Sequence, residues 1–307
     1  MSTDVKTKQG IIYAILGYAL WGLSPIYYKQ IMQIPALEIL ANRIIWSCVL
    51  LAIISLLLKQ LTEVRKVLTQ KNKVIFLFFS TLFLACNWLI YIWAVNNDHV
   101  LETSLGYYVN PILNIILAMV ILKERLRVWQ WFAVALVVMG VLIQIIHYGS
   151  LPWVSLGLAF TFGCYGMLRK KLGLAAVTGL LCETALLTPF ALIYLHFFDY
   201  SATANFIENR TSMNLLLMLA GVVTVIPLLG FTAAATRLKF SILSFFQYLT
   251  PTILFIIAVT LYGEKLTLPS IITFVFIWLA LVVLAIEGLA RSRSRARGGL
   301  SQSKSAV

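Results

Sequence analysis

The chain of 307 residues is 61% hydrophobic and 11% charged, with a mean hydropathy of +0.93, too apolar to hide its side chains inside a water-soluble globule. Its formal charge of +13 would suit a nucleic-acid partner if lysine and arginine formed a patch. They sit instead in the short gaps between apolar runs, the pattern of a chain that crosses a membrane many times.

The first apolar run, Gly10 to Met32, follows Lys6 and Lys8. It is too long for a signal-peptide core and no small-x-small cleavage site follows it, so it predicts the first span. Apolar windows bounded by charge or turn residues predict ten helices, at about 10–30, 37–58, 74–96, 101–122, 129–146, 152–171, 174–198, 213–236, 241–262 and 268–289. Linkers such as Asn97 to Val100 and Lys123 to Val128 are short enough to force antiparallel neighbours. Phe198 to Ser212 is a longer connection, and the stretch from Arg291 to Val307, rich in Arg, Ser and Gly without apolar period, predicts a basic, disordered tail over 290–307 that touches anionic lipid. Cys48, Cys86, Cys164 and Cys182 lie inside apolar runs without CxxC spacing and read as small hydrophobes.

With the N-terminus placed in the cytoplasm, the inner segments hold all the lysines and arginines except Lys29, Arg210 and Lys265 outside and Arg43 within a span. That asymmetry predicts both termini cytoplasmic. The chain also repeats itself: LGYYVNPILNIILAMVILKERL at 105–126 returns as FFQYLTPTILFIIAVTLYGEKL at 245–266, laying Tyr108 on Tyr248, Pro111 on Pro251, Glu124 on Glu264 and Leu126 on Leu266. The same shift of 140 residues lays Leu16, Gly17 and Ala19 on Leu156, Gly157 and Ala159, and Lys29 on Arg169. Because each unit holds an odd number of helices, the second enters the membrane upside down. The expectation is an all-α integral membrane protein with ten transmembrane helices in two inverted-topology five-helix repeats, 10–146 and 152–289.

At this point the residues resemble a known family. The repeated halves look like the EamA domains of the drug/metabolite transporter superfamily. YALWGLSPIYYK at 18–29, NWLIYIWAVNNDHVLETSLGYYVNP at 87–111, QWFAVALVVMGV at 130–141 and FFQYLTPT at 245–252 resemble the bacterial RarD family of chloramphenicol-sensitive proteins. The resemblance implies a ten-helix carrier in the bacterial inner membrane. Ser244 and Thr250 stand where the family pattern leads one to expect a smaller residue.

Pro111 and Pro251, each near the middle of its run, predict paired helix breaks, since proline removes a backbone hydrogen bond. Asn110 and Asn114 flank the first, and Gln247 and Thr250 the second, as donors for the freed carbonyls. Asn87 and Tyr91 share a helix face, and an amide turned toward lipid is costly, so with Trp88 they should line an interior cavity. Trp21, Tyr28, Tyr108, Phe245, Phe246 and Tyr248 complete its aromatic wall. Arg43 lies roughly 9 Å into its helix by rise per residue. It and Glu183 are the ionisable residues furthest from helix ends. Glu183 reads as a protonatable or substrate-sensing group, and Arg43 as ordering the outer vestibule with Glu38 or Glu102.

His99, His147 and His196 fall on separate outer connections without ligand spacing, so no metal and no cofactor is expected. The absence of a P-loop removes ATP hydrolysis within this chain, and no HExxH, paired Asp or Ser with a deep His supports an intramembrane enzyme. The leading expectation is therefore a secondary carrier that exports a small organic metabolite or drug, coupled to a proton or an exchanged solute, with lipid as its other partner. A channel-like or structural subunit is the alternative, less favoured because neither charge rings nor a carbonyl filter is evident.

Overall fold

A helix that spans the apolar core needs about 20 residues, because each residue rises 1.5 Å through roughly 30 Å of hydrocarbon. The computed structural model describes residues 3–96, 100–149, 153–198, 203, 209–261 and 268–304, and each apolar window there is helical. The helices are α1 (Thr3–Tyr28), α2 (Ala36–Leu57), α3 (Leu61–Leu68), α4 (Lys71–Asn96), α5 (Val100–Val120), α6 (Val128–Tyr148), α7 (Trp153–Leu172), α8 (Ala176–Phe197), α9 (Thr211–Ala235), α10 (Phe240–Phe246), α11 (Leu249–Thr260) and α12 (Leu268–Lys304). Among the described residues seven stretches are long and apolar enough to cross a membrane: Val5–Ile31, Ala36–Leu57, Lys71–Tyr91, Val128–His147, Ala176–Phe197, Thr211–Ala235 and Phe240–Ile257. Gly106–Val120 and Ile271–Glu287 are shorter apolar helices, and α7 closes on Arg169, Lys170 and Lys171. The protein is an all-helical, multi-pass membrane protein.

Three features depart from the sequence expectation. The charged stretch after α2 contains a helix, α3, with Val67 buried and the Lys66–Glu63 pair (2.8 Å) exposed. The turn into it is a Schellman arrangement, in which Gln60 N–H bonds Ser55 O (2.8 Å) and Lys59 N–H bonds Leu56 O (3.0 Å), with Lys59 at φ 54° in the place glycine usually takes. Next, α5 runs through Pro111 without a break, whereas the equivalent span divides at Gln247 and Tyr248, just before Pro251. Pro251 sits in the first turn of α11, where its missing N–H costs nothing, while Pro111 is mid-helix and forfeits a single bond that is cheaper to lose in lipid than a whole broken turn. Lastly, α12 continues as helix into the basic tail as far as Lys304, since Arg and Ala favour helix even without an apolar face.

The chain forms two compact units, each drawing on both halves of the sequence: Met1–Leu122 with Pro152–Glu264, and Lys123–Leu151 with Lys265–Val307. In the first, α1 packs on α9 and α11, α2 on α8 and α9, α4 on α7 and α8, and α5 on α7 and α10. Its core gathers Tyr18, Leu51, Leu84, Tyr165, Phe231 and Phe240, while residues such as Phe78, Phe190 and Leu215 face outward as a lipid-facing surface would. In the second, α6 pairs with α12. There Thr273 Oγ1 donates to Gly140 O (2.9 Å), and Arg127 Nη1 meets Glu287 Oε1 at 2.9 Å. The four cysteines are free thiols.

Close approach of α2 and α9 depends on Gly221, where a Cβ would lie 2.6 Å from the Trp46 carbonyl carbon and 2.8 Å from its oxygen. Backbone cannot yield as a side-chain tip can. Gly106 is different, its nearest neighbours being at 3.4 Å, an ordinary contact. Gly221→Ala should therefore lower stability by about 1–3 kcal/mol, the usual cost of overpacking. Gly106→Ala should be near neutral, and unfolding of the two purified variants followed by tryptophan fluorescence checks the difference.

Candidate functional site

The spans that carry Pro111 and Pro251 meet through polar groups. Asn114 Nδ2, on α5, donates to Gln247 Oε1 (2.8 Å) in the break between α10 and α11, and both residues are buried. One residue on, Tyr248 donates its hydroxyl to Tyr108 O (3.1 Å), and Thr250 Oγ1 donates to Tyr18 O (2.8 Å) on α1. On α1 and α5, the buried atoms Asn110 Oδ1, Asn114 Oδ1 and Tyr18 OH have no hydrogen-bond partner in the protein. Asn110, Asn114, Gln247, Tyr248, Thr250 and Tyr108 are thus brought to the junction of α1, α5, α10 and α11, beside Pro111 and Pro251.

Two other expected residues serve helix packing. Trp21 stands in an aromatic cluster with Tyr18 (5.7 Å between ring centroids), Phe162 (5.8 Å) and Phe231 (6.0 Å). Asn87 Nδ2 ties α4 to α7 through Leu158 O (2.9 Å) and Thr161 Oγ1 (3.0 Å). Trp88, by contrast, faces Arg43, whose guanidinium carbon lies 5.1 Å from the Trp88 ring and 5.8 Å from the Tyr28 ring. Arg43 Nε donates to Thr224 Oγ1 at 2.9 Å. Tyr91 and Tyr107 lie within electrostatic reach of the same cation. Glu38 takes a hydrogen bond from Thr203 (2.9 Å), and the Glu102 side chain, like those of Asn96, His99, Ser104 and Glu264, lies outside the described residues.

Glu183 has a different set of partners. It is fully buried, accepting from Ser80 Oγ at 2.6 Å and from Tyr165 OH at 3.3 Å. Arg169 Nη1 stands 3.7 Å from its Oε1, with the arginine side chain only 2% exposed. The guanidinium rests over Gly179, where any side chain would collide with it, and Nη2 reaches Ala176 O (3.5 Å) at the start of α8. Arg43 and Glu183 do not pair. Sequence reasoning missed Arg169, Ser80 and Tyr165, because Arg169 is followed by Lys170 and Lys171 and reads like any basic helix end. Gly179, one helical turn before Glu183, was the available sign of a large neighbour. Among the described residues no cluster of His, Cys, Asp or Glu is placed to hold a metal ion.

Membrane-length helices carrying buried polar side chains at their junctions define a multi-pass membrane transporter, and residues 8–146 match the EamA-like transporter family. Over 290 residues the chain is 48% identical to protein RarD of Salmonella typhi, covering 94% of this chain and 99% of that one. It is 46% identical over 288 residues to protein RarD of Escherichia coli K12, covering 94% and 97%. An uncharacterized transporter of Vibrio cholerae is 48% identical over 290 residues, covering 94% and 96%. The chain belongs to the RarD family of EamA-like transporters. A solved crystal structure at 20% identity, covering 94% of this chain and all of the other with a TM-score of 0.69, shares the fold.

Breaking a buried ion pair by deleting one partner strands the other charge, at a typical cost of about 3–5 kcal/mol, whereas replacing both is often neutral. Arg169→Leu should accordingly lower the unfolding temperature more than the double variant Arg169→Leu/Glu183→Leu. Thermal unfolding of the two purified proteins gives the comparison.

Proposed function

We propose that the protein is a secondary carrier of the bacterial inner membrane that exports a small organic metabolite or drug, with both termini and the tail at 290–307 in the cytoplasm. In this reading ten spans form two inverted five-helix repeats, 10–146 and 152–289, which rock about a central site to face each side in turn. The observation that carries it is the Asn114–Gln247 hydrogen bond between the spans that carry Pro111 and Pro251, flanked by buried polar atoms that the protein leaves without partners. Unpartnered polar groups deep in a membrane protein are expensive unless water or a solute reaches them. Asn87, Trp88, Tyr91, Tyr108, Asn110 and Thr250 would then border the transport path, with Trp21 as part of its packed wall.

Helix packing supports the repeat. Under the shift of 140 residues α1 answers to α7, α2 to α8, α4 to α9 and α5 to α10 with α11. The contact of α1 with α9 is then answered by that of α7 with α4, and the contact of α1 with α11 by that of α7 with α5. Relatives support the activity class. Several are named uncharacterized transporters, among them those of Vibrio cholerae and, at 40% identity, Bacillus subtilis. A chloramphenicol-sensitive protein RarD of Pseudomonas aeruginosa, 27% identical over 302 residues, makes chloramphenicol one compound to try. Glu183 is the group proposed to take up a coupling proton, and Arg43 the group that orders the outer vestibule.

Proteoliposomes loaded with unlabelled solute should accumulate the labelled form by saturable counterflow; linear, unsaturable flux for every solute would point to a channel instead. Glu183→Gln should keep exchange but lose its response to an imposed pH gradient, and an unchanged response removes the coupling role. In a background without native cysteines, Glu124→Cys and Glu264→Cys should be labelled from opposite faces of the membrane. Labelling from one face rules out the inverted repeat.

A further inference from the structure

Arg43 and Glu183 occupy the same step from the N-terminus of α2 and α8, yet the chain treats the two charges differently. Glu183 is enclosed by Ser80, Tyr165 and the countercharge of Arg169. Arg43 has no carboxylate in ion-pair contact among the described residues, and Thr224 is its one hydrogen-bond acceptor. Its side chain is half-buried and held in place. Its Nε is fixed by Thr224, whose own hydroxyl proton is committed to Ala220 O (2.7 Å), and its guanidinium is held beside the Tyr28 and Trp88 rings. A cation pinned in place within the span, without an anion of its own among the described residues, is an expensive arrangement to keep empty.

The geometry points to the missing anion. With Nε bound to Thr224, the two terminal nitrogens remain for a ligand, and a guanidinium edge matches a carboxylate through paired, charge-assisted hydrogen bonds. Around it, the Tyr28 and Trp88 rings face the guanidinium, and Tyr91 and Tyr107 lie within its electrostatic reach. The Tyr28 and Trp88 rings held against the cation make a wall for a flat or apolar body whose acidic end is at Arg43. We propose that Arg43, with Tyr28, Trp88, Tyr91, Tyr107 and Thr224, is a binding site for organic carboxylates with an aromatic or apolar body, and that this anion is the carrier's substrate class. The assignment deepens the carrier reading and rests on it for the word substrate, but the binding site itself does not require transport.

The test is binding by the purified full-length protein in phosphatidylcholine nanodiscs, read as ligand-dependent unfolding temperature, with phenylacetate and indole-3-acetate set against phenylacetamide and indole-3-acetamide. The carboxylates should raise the unfolding temperature at concentrations about tenfold or more below those of the amides, the scale expected of a hydrogen-bonded charge. Arg43→Gln should remove that preference, Arg43→Lys should keep part of it, and Thr224→Val should weaken it while leaving the fold intact. Equal response to acids and amides, or a preference that survives in Arg43→Gln, overturns the site. So does stabilisation by phosphatidylglycerol nanodiscs that depends on Arg43 while the free carboxylates have no effect, which would assign the cation to a lipid headgroup. Carboxylate binding without counterflow would leave the site standing and remove the carrier reading, whereas counterflow without a carboxylate preference would do the reverse.

Discussion

Lipid offers no hydrogen bonds, so every polar group carried into the membrane by these helices needs a partner in the protein or a reason to do without one. Most find a partner. Threonine and serine hydroxyls turn back on their own helices, as Thr184 does to Leu180 O (2.9 Å) and Ser244 to Phe240 O (2.7 Å), and Asn87 stitches α4 to α7. The exceptions are scattered, from Ser55 Oγ and Thr81 Oγ1 to the Arg169 guanidinium, but three of them, Asn110 Oδ1, Asn114 Oδ1 and Tyr18 OH, belong to residues of α1 and α5 around the junction with α10 and α11.

Charge follows the same rule. Glu183 is neutralised within the chain, at the cost of burying Arg169 and reserving the space over Gly179 for it. Arg43 receives a hydroxyl and two aromatic faces, which hold its direction without cancelling its charge. Equivalent steps of two related helices thus carry opposite signs in opposite states of completion.

Much of this was legible in the sequence because it depends on local quantities. Apolar length located most of the helices to within a few residues, though not the start of α1 or the end of α12, and the basic gaps between them marked helix ends such as Arg169 to Lys171. The polar residues beside Pro251 were identified by the repeat, and they do converge with those beside Pro111. What escaped was whatever depended on depth or on partners distant in the chain. Arg169 looked like Lys170, since composition cannot tell a guanidinium that folds inward from an ammonium that caps the end of α9 at Ala235 O (3.1 Å). Helix α3 escaped because eight residues with three charges fall below any span-length window. Pro111 misled because its effect is decided by position within the helix and by the packing of α7 and α10 on α5, not by the residue itself.

The unequal treatment of the two prolines has an energetic corollary. One span already possesses a joint, at Gln247 and Tyr248, with its short-range backbone bonds rearranged to suit, while its counterpart remains a continuous rod. Flexing the jointed arm rotates a few dihedrals, but flexing the rod breaks hydrogen bonds in a medium that cannot replace them. The two spans therefore differ in stiffness, and bending concentrates at Gln247 and Tyr248 before it reaches α5.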